Sequence, residues 1–459
     1  MLISLVNELA VILIVAYLIT RTKLYIDVIV NKNLNLKNSL ILILVFGVFA
    51  IYGTINGVQL DNNIIINVRG IFPAFAGLIA GPVVGISAGI IGGVHRYFYL
   101  EGGTHLGSAI ITILSGLSGG LIYKWNNNKI IGILGAVIFD ILLELLHVAI
   151  NVTLGHFNGM DLWATMKTNM AAMIVVNAVG MAVLMFITLN AIKERATETT
   201  KNIMMSELKI AHDFQMSMVP QIFPPFPDRK EFELYAFMKP AKEIGGDLYD
   251  FFFIDDRHLC FLIGDVSDKG ISSALFMAQC KSITRAIALY EKRTSEEKIS
   301  SSEILSLVNE EICRDNELLM FVTLFIAVLD TKTGHIIFST AGHNPPFISE
   351  QSGEITCLDT IRNIPLGIKP NITFKEMGFV LKPGDLILLY TDGITEAINK
   401  EGQMFREEGV IKTLARTRSY SAEVIVKELV NDVDSFTKEK EQSDDITVLA
   451  LKFTGCGTA

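Results

Sequence analysis

The sequence predicts two folds in one chain of 459 residues: an N-terminal all-α polytopic membrane domain and a C-terminal α+β sandwich. Three observations carry this reading. Mean hydropathy is +0.44 and half of the residues are hydrophobic, more than an ordinary soluble protein holds. The excess lies almost wholly in residues 1–192, in runs rich in Gly, Ile, Leu and Ala, whereas 193–459 carry most of the charge. Beyond residue 230, short apolar runs alternate with amphipathic stretches, as antiparallel sheets covered by helices require.

Composition also excludes partners. A net charge of −9 is wrong for nucleic acid, whose phosphates demand basic patches. Cys260, Cys280, Cys313, Cys357 and Cys456 are scattered through the C-terminal half without a CxxC pair, which argues against disulfides or a zinc knuckle and suits a reducing compartment. The first apolar run has no basic region ahead of it and is followed by Arg21 and Lys23, the pattern of a membrane anchor rather than a cleaved signal.

Residues 1–192 form the membrane domain, with spans expected at 2–20, 38–58, 105–123, 130–152 and 165–192. Residues 64–99 are too long for one helix and are interrupted at Gly81-Pro82, so two helices, 64–79 and 83–99, are expected. Seven spans place the basic loops 21–37 and 124–129 on the same side as the C-terminal half, as the positive-inside rule asks; six spans, the alternative, turn the 21–37 loop outward. Lipid is one partner of this half. Polar groups at membrane depth are costly and usually line a cavity or pair with one another. Asn67, Arg69, Arg96, Glu144 and His147 form a candidate ligand pocket for an unknown signal, with His95, Asp140 and Asn151 nearby; an interhelical polar clamp accounts for the same residues. Glu144, His147 and Asn151 recur at helical spacing and share a face.

Residues 193–220 read as a helical linker. Met204, Leu208, Ala211 and Met218 follow a heptad-like stripe that Gln215 interrupts. Two heptads fit either an amphipathic helix lying on its own domain or a signalling helix that pairs in a homodimer. Pro220 and the run QIFPPFP (221–227) end it and open the C-terminal domain, 221–459. Strands are expected in EFELYAFMKP, LYDFFFI, HLCFLIGDV, FVTLFIAVLD, HIIFSTAG, PPFISE, DLILLYT and ITVLALKF, and helices over 271–291, 301–316 and twice within 406–438. Residues 351–384 carry little signal.

Four aspartates lie where glycine turns meet apolar β-runs: Asp247 in EIGGDLYD, Asp265 in LIGDVSDKG, Asp392 in YTDGITEA and Asp444 in SDDITVL. Two carboxylates about 4 Å apart repel by roughly 4 kcal/mol at an effective dielectric near 20. A fold that gathers four of them needs hard cations between them, and oxygen-only ligation favours Mg²⁺ or Mn²⁺ over zinc. Two such ions sharing a water make a hydrolytic centre for phosphate esters.

Two resemblances sharpen this. Asn67-Val-Arg69 followed by AGLIAGPVVGISAGIIGGVHRY (76–97) resembles the five-transmembrane LytS-type sensor module of bacterial membrane receptors over about 38–192, with the first span an addition. That implies a detector of a small molecule or of the state of the envelope. GGDLYD, GDVSDKG, AGHNPP, YTDGITE and DDIT, in this order and preceded by AHDFQMSMVP (211–220), resemble the PPM-type serine/threonine phosphatases of the SpoIIE/RsbU class over about 212–453. The resemblance implies an αββα sandwich, two Mn²⁺ or Mg²⁺ ions, and hydrolysis of phosphoserine or phosphothreonine by an activated water. It implies that Asp247 is a ligand near the metal pair, that Asp265 bridges both ions beside the Val266 carbonyl, and that Asp392 and Asp444 hold one ion from the opposite sheet. Asp445 takes the place of Asp444 if the register differs by one. Gly246 would relieve crowding beside Asp247. Asp268 would be a solvated turn residue, a ligand to a third metal or a group supporting the ligands, and His343 of AGHNPP a rigid turn or a general acid. Asp250 and Glu396 are expected in supporting or loop positions, and Lys269 and Arg362 are the cations available for a phosphate. The implied substrate is a cytosolic phosphoprotein, an antagonist of an anti-sigma factor of the STAS type. The implied location is the bacterial plasma membrane with the catalytic domain in the cytoplasm. The competing reading is a membrane receptor with a catalytically inactive phosphatase-like module; the intact aspartate set argues against it.

Overall fold

The computed structural model describes residues 10, 14, 16, 17, 19–30, 32–59, 65–99, 104–157, 163–294, 299–438 and 440–455. The expected span at 2–20 falls largely outside these residues, as does Cys456. Contacts divide the chain into Met1–Asn202 and Ile203–Ala459.

The N-terminal unit is helical: α1 Leu36–Ile55, α2 Ile71–Ala80, α3 Pro82–Tyr99, α4 His105–Trp125, α5 Ile133–Phe157, and α6, which starts at Trp163 and continues to Met218. The break inside 64–99 falls at Gly81, whose φ of +87 suits glycine, and Pro82 begins the next helix, where its missing N–H costs nothing. The first of that helix pair starts later than the sequence implies, because Asn67 to Gly70 leave the helical path: the Asn67 Oδ1 accepts from the Arg69 N–H at 3.2 Å. Among the described residues four helices are long and apolar enough to cross a membrane, those beginning at Leu36, His105, Ile133 and Asn169. Helices α2, α3 and α4 touch main chain to main chain. A Cβ on Gly116 would lie 1.9 Å from the Gly85 carbonyl oxygen, and one on Gly77 2.5 Å from that of Gly116. Only glycine permits this approach.

The second unit has two five-stranded antiparallel sheets. Its strands are β1 Phe232–Lys239, β2 Leu248–Phe253, β3 His258–Val266, β4 Val322–Asp330, β5 His335–Ala341, β6 Phe347–Ser349, β7 Ile355–Cys357, β8 Met377–Val380, β9 Leu386–Tyr390 and β10 Ile446–Phe453. One sheet runs β8-β5-β4-β3-β2 and the other β1-β10-β9-β6-β7. Period-two alternation assigns each residue a layer. Phe261, Ile263, Phe325, Phe338, Leu389 and Leu449 fill the space between the sheets. Cys260 and Leu262 face outward to α7 (Ile271–Thr294) and α8 (Ser301–Arg314), where Met277, Cys280, Leu305 and Val308 meet them. Leu388 and Val448 face the other pair, α10 (Arg406–Thr417) and α11 (Ala422–Thr437), through Leu414, Val426 and Leu429. The result is the expected αββα sandwich. A one-turn helix, α9 (Asp392–Thr395), stands where the sequence suggests only a turn, and the silent segment 351–384 supplies β7 and β8.

Candidate active site

The site forms where strand ends of both sheets meet. Strand β3 delivers Asp265 at its C-terminal end, the turn before β2 delivers Asp247, the end of β9 leads into Asp392, and the loop before β10 carries Asp444 and Asp445. Their mutual repulsion records the convergence. Burial, then Asp265, then Asp445 hold the Asp247 carboxyl well above the ordinary carboxylate range. Burial, then Asp392, Asp444 and Asp445, push Asp265 up to about 7. Asp392 is raised by burial, Asp444 and Glu396.

The two aspartates of the DDIT segment have different surroundings. Asp445 is buried, and its Oδ1 accepts from the Ala241 N–H at 2.7 Å while Oδ2 accepts from Gly246 at 2.6 Å and Asp247 at 3.4 Å. It pins the glycine turn that presents Asp247. Asp444 is partly exposed, and its carboxylate lies 2.9 Å from the Lys269 ammonium, which also donates to the Ser443 carbonyl at 2.7 Å. Packing dictates the glycines: a Cβ on Gly246 would lie 2.4 Å from Ser273 Oγ and 2.8 Å from the Val266 carbonyl, and one on Gly393 would lie 1.9 Å from the Asp445 carbonyl. Thr391 links the two sheets, donating to Asp247 Oδ2 at 2.7 Å and accepting from the Thr447 N–H at 3.0 Å.

His343 is buried behind Asp265. Its Nδ1 lies 2.9 Å from the hydroxyl of Thr323, which pairs with Asp265 across the β3–β4 ladder. Burial lowers its pKa to about 4, so the ring is neutral at ordinary pH. Asp268 is an exposed turn residue at φ +74. Glu396 follows α9 at the surface, and among the described residues Arg362 makes no hydrogen bond or ion pair with these carboxylates.

Two residues matter that the sequence left in the background. Gln215, near the end of α6, clasps the Gly245 peptide on both sides: Nε2 donates to its carbonyl at 2.6 Å and Oε1 accepts from its N–H at 3.1 Å. The signal was visible only as a polar break in an apolar stripe. Asp250 is no loop residue. It lies on β2, fully buried, with both carboxylate oxygens 2.8 Å from Arg285 of α7 and one 3.0 Å from Lys281.

In a separate cavity of the N-terminal unit, the structure brings together Asn67, Arg69, Asp140, Glu144 and His147 as lining residues. Arg69 is buried and donates to Thr112 Oγ1 at 2.8 Å, the Ser108 carbonyl at 3.3 Å and Thr54 Oγ1 at 3.5 Å. Glu144 accepts from Asn177 of α6 at 2.5 Å and lies 3.2 Å from His147 Nδ1, whose Nε2 faces Ser108 Oγ. Arg96 is also buried, donating to Thr104 Oγ1 at 3.3 Å, but does not line this cavity.

Among the described residues no group of three His, Cys, Asp or Glu side chains is placed closely enough to hold a metal ion as it stands. The donor set nevertheless fits hard divalent cations. Carboxylates that raise one another's pKa lack positive charge between them, and among the described residues the Lys269 ammonium on Asp444 is the one cation paired with Asp247, Asp265, Asp392 or Asp444.

The model of the stage II sporulation protein E (SpoIIE) family matches residues 255–454, and that of the 5TMR of 5TMR-LYT matches residues 22–191. The chain is 28% identical over 279 residues to protein IcfG of Synechocystis, covering 56% of this chain and 43% of that one. It is 28% identical over 249 residues to the phosphoserine phosphatase RsbU of Bacillus subtilis, covering 54% of this chain and 70% of RsbU. It is 32% identical over 192 residues to the sensor histidine kinase BtsS of Escherichia coli, covering 40% of this chain and 33% of BtsS. The chain thus spans less than half the length of IcfG and a third of BtsS. The 5TMR match and the four long apolar helices make it a membrane protein.

Proposed function

We propose, from the premise that residues 255–454 form a SpoIIE-family phosphatase domain and residues 22–191 a 5TMR-LYT sensor domain, that this chain is a membrane-bound sensor phosphatase. Its substrate is a phosphoserine or phosphothreonine protein of the cytosol, of the STAS anti-sigma-antagonist type, and its catalytic domain faces the cytoplasm. The observation that carries the reading is the convergence of Asp247, Asp265, Asp392 and Asp444 from four separate segments onto one pair of sheet ends.

Two Mn²⁺ or Mg²⁺ ions, when bound, supply the Lewis acidity that makes water a nucleophile at neutral pH and offsets charge on the phosphoryl group. Asp265, the Val266 carbonyl, Asp392 and Asp444 are the groups that would hold them. Asp247 stands beside Asp265, oriented by the Thr391 hydroxyl. Asp445 supports from behind, because its oxygens already accept from backbone N–H groups. Lys269 pairs with Asp444 and would be the cation available to a phosphate once that carboxylate is used to hold a metal ion. His343, buried and neutral, orients Thr323 rather than supplying a proton. Release of phosphate from a phosphoserine protein by the full chain in detergent, dependent on Mn²⁺, tests the reading; a folded sample that takes up neither manganese nor magnesium refutes it.

The raised carboxyls make metal uptake depend on pH. Asp265 holds a proton in the metal-free fold from the ordinary carboxylate range up to about 7, so this proton stabilises the metal-free protein at low pH and the benefit fades as pH rises through 7. Metal must displace that proton. Mn²⁺ affinity is expected to weaken roughly tenfold per pH unit below 7 for each proton displaced, and to level off above it. Calorimetric Mn²⁺ titration at pH 6 and pH 8 in two buffers measures both affinity and proton release; a flat profile without proton release contradicts the assignment.

The sensing step is placed at the cavity holding Asn67, Arg69, Glu144 and His147, with Arg96 nearby. Arg69 is a buried cation hydrogen-bonded to neutral oxygens, which favours a ligand carrying negative charge. Glu144 reports to α6 through Asn177, and the far end of α6 grips the Gly245 turn through Gln215. Inserting one to seven residues near Thr200 turns the two ends of this helix by about 100° per residue, nearly restoring phase at seven. Signal control of phosphatase turnover should fail at two and five insertions and return in part at seven. Regulation that ignores the series would exclude transmission through the helix.

A further inference from the structure

Six exposed aliphatic side chains of the phosphatase unit lie on segments tied to the strand end that carries Asp265. On α7, Ile271 and Leu275 stand one turn apart on the outward face, 57% and 67% exposed, while Met277 and Cys280 enter the core. Just before β4, Leu318 and Leu319 are 75% and 82% exposed. Ile364 and Ile368 are exposed on either side of the buried Leu366.

Hydrogen bonds knit these segments to the site. The Ser267 N–H donates to the Phe321 carbonyl at 2.8 Å, and the Phe321 N–H donates back to Ser267 Oγ at 3.0 Å, two residues beyond Asp265. Val322 and Leu366 exchange backbone bonds of 3.0 and 2.9 Å. Asn316 Nδ2 donates to the carbonyls of Met320 at 2.6 Å and Gly367 at 3.1 Å, fixing the loop that displays Leu318 and Leu319. With Cα atoms 3.8 Å apart, Leu319 lies within about 8 Å of Phe321. Leu319 is held at φ +52, a conformation leucine rarely adopts. A single exposed leucine is ordinary; six large aliphatic residues on three interlocked segments are not.

We infer that this apolar collar is the docking surface for a folded, serine-phosphorylated partner, an inference that rests on the phosphatase reading above. The occupant follows from position. A protein whose phosphoserine enters the carboxylate site must lay the surface around that serine on the walls of the site. Residues 318–321 are bonded to the segment that follows Asp265, and the first turn of α7 follows that same segment, so both border the Asp265 end of the site, with Lys269 the charged group between them. The partner therefore carries its phosphate at the edge of an apolar patch. A small ester reaches the carboxylates without touching the collar.

The test uses the full chain in detergent with Mn²⁺, as wild type, Leu275→Ser and the double variant Leu318→Ser/Leu319→Ser, all at exposed positions. Substrates are p-nitrophenyl phosphate and a STAS-domain protein phosphorylated on serine. The double variant is expected to raise KM for the phosphoprotein at least tenfold, with kcat and p-nitrophenyl phosphate turnover held within twofold. Equal loss on both substrates, or no loss on either, overturns the inference. A change in oligomeric state by light scattering, in place of the KM effect, shows that a second copy covers the collar and also overturns it. Wild-type turnover of the small ester alone means the collar does not serve this partner class. Turnover of neither substrate defeats the phosphatase reading itself.

Discussion

Asp265→Ala should abolish manganese-dependent phosphatase activity, with kcat reduced by about a thousandfold or more, equivalent to about 4 kcal/mol of lost transition-state stabilisation. The size follows from position. Asp265 is the aspartate whose repulsion comes from Asp392, Asp444 and Asp445 together, so it stands centrally among them. Its removal would take charge from any cation bound there. The fold should survive, because the side chain is only partly buried and the β3–β4 pairing of its backbone with Thr323 remains. Circular dichroism unchanged, Mn²⁺ uptake weakened and turnover lost is the expected set. Retention of a tenth of the activity would place the chemistry elsewhere.

The largest effect on stability should come from Asp250→Ala. This carboxylate is inaccessible to solvent and meets Arg285 through two bonds of 2.8 Å and Lys281 through one of 3.0 Å. Removing it strands a nearly buried ammonium and a guanidinium that face each other. Breaking a buried pair in this way costs about 3–5 kcal/mol. Arg285→Ala should cost less, since Lys281 still neutralises Asp250 and the Arg285 side chain is half exposed. Denaturant unfolding of both single variants and the double variant gives the coupling directly. A loss below 1 kcal/mol for Asp250→Ala would mean that water replaces the carboxylate. Activity should fall as well, because the pair ties β2, which follows Asp247, to α7, which follows Asp265.

Much of the second unit was legible in the sequence because its physics is local. Strand ends with Asp-Gly turns, alternating apolar residues and capped helices each leave a short-range mark. Ser300 caps α8 and Ser421 caps α11 as such residues should. The polar ties were not legible. Gln215 and Gly245 lie 30 residues apart, Asp250 and Arg285 35, and nothing in either stretch names its partner. The continuity of the last span at 165–192 with the linker at 193–220 was legible, by contrast. Hydropathy changes there, but no proline or glycine interrupts the residues between Met181 and Met218, so the helix passes through the change. Segment 351–384 was silent because its strands, Ile355–Cys357 and Met377–Val380, are edge strands of three and four residues.

The glycine contacts among α2, α3 and α4 bear on how the membrane unit can respond at all. Backbones in direct contact leave no side chains to change rotamer and no gap to slide into, so those three helices behave as a fixed frame. Helices α5 and α6 are joined to the polar cavity and to each other through side-chain bonds, His147 to Ser108 and Glu144 to Asn177. Such joints can break and re-form one at a time. A signal that moves this unit is expected to displace the pair that includes α6, with the other three helices as the bearing against which it moves.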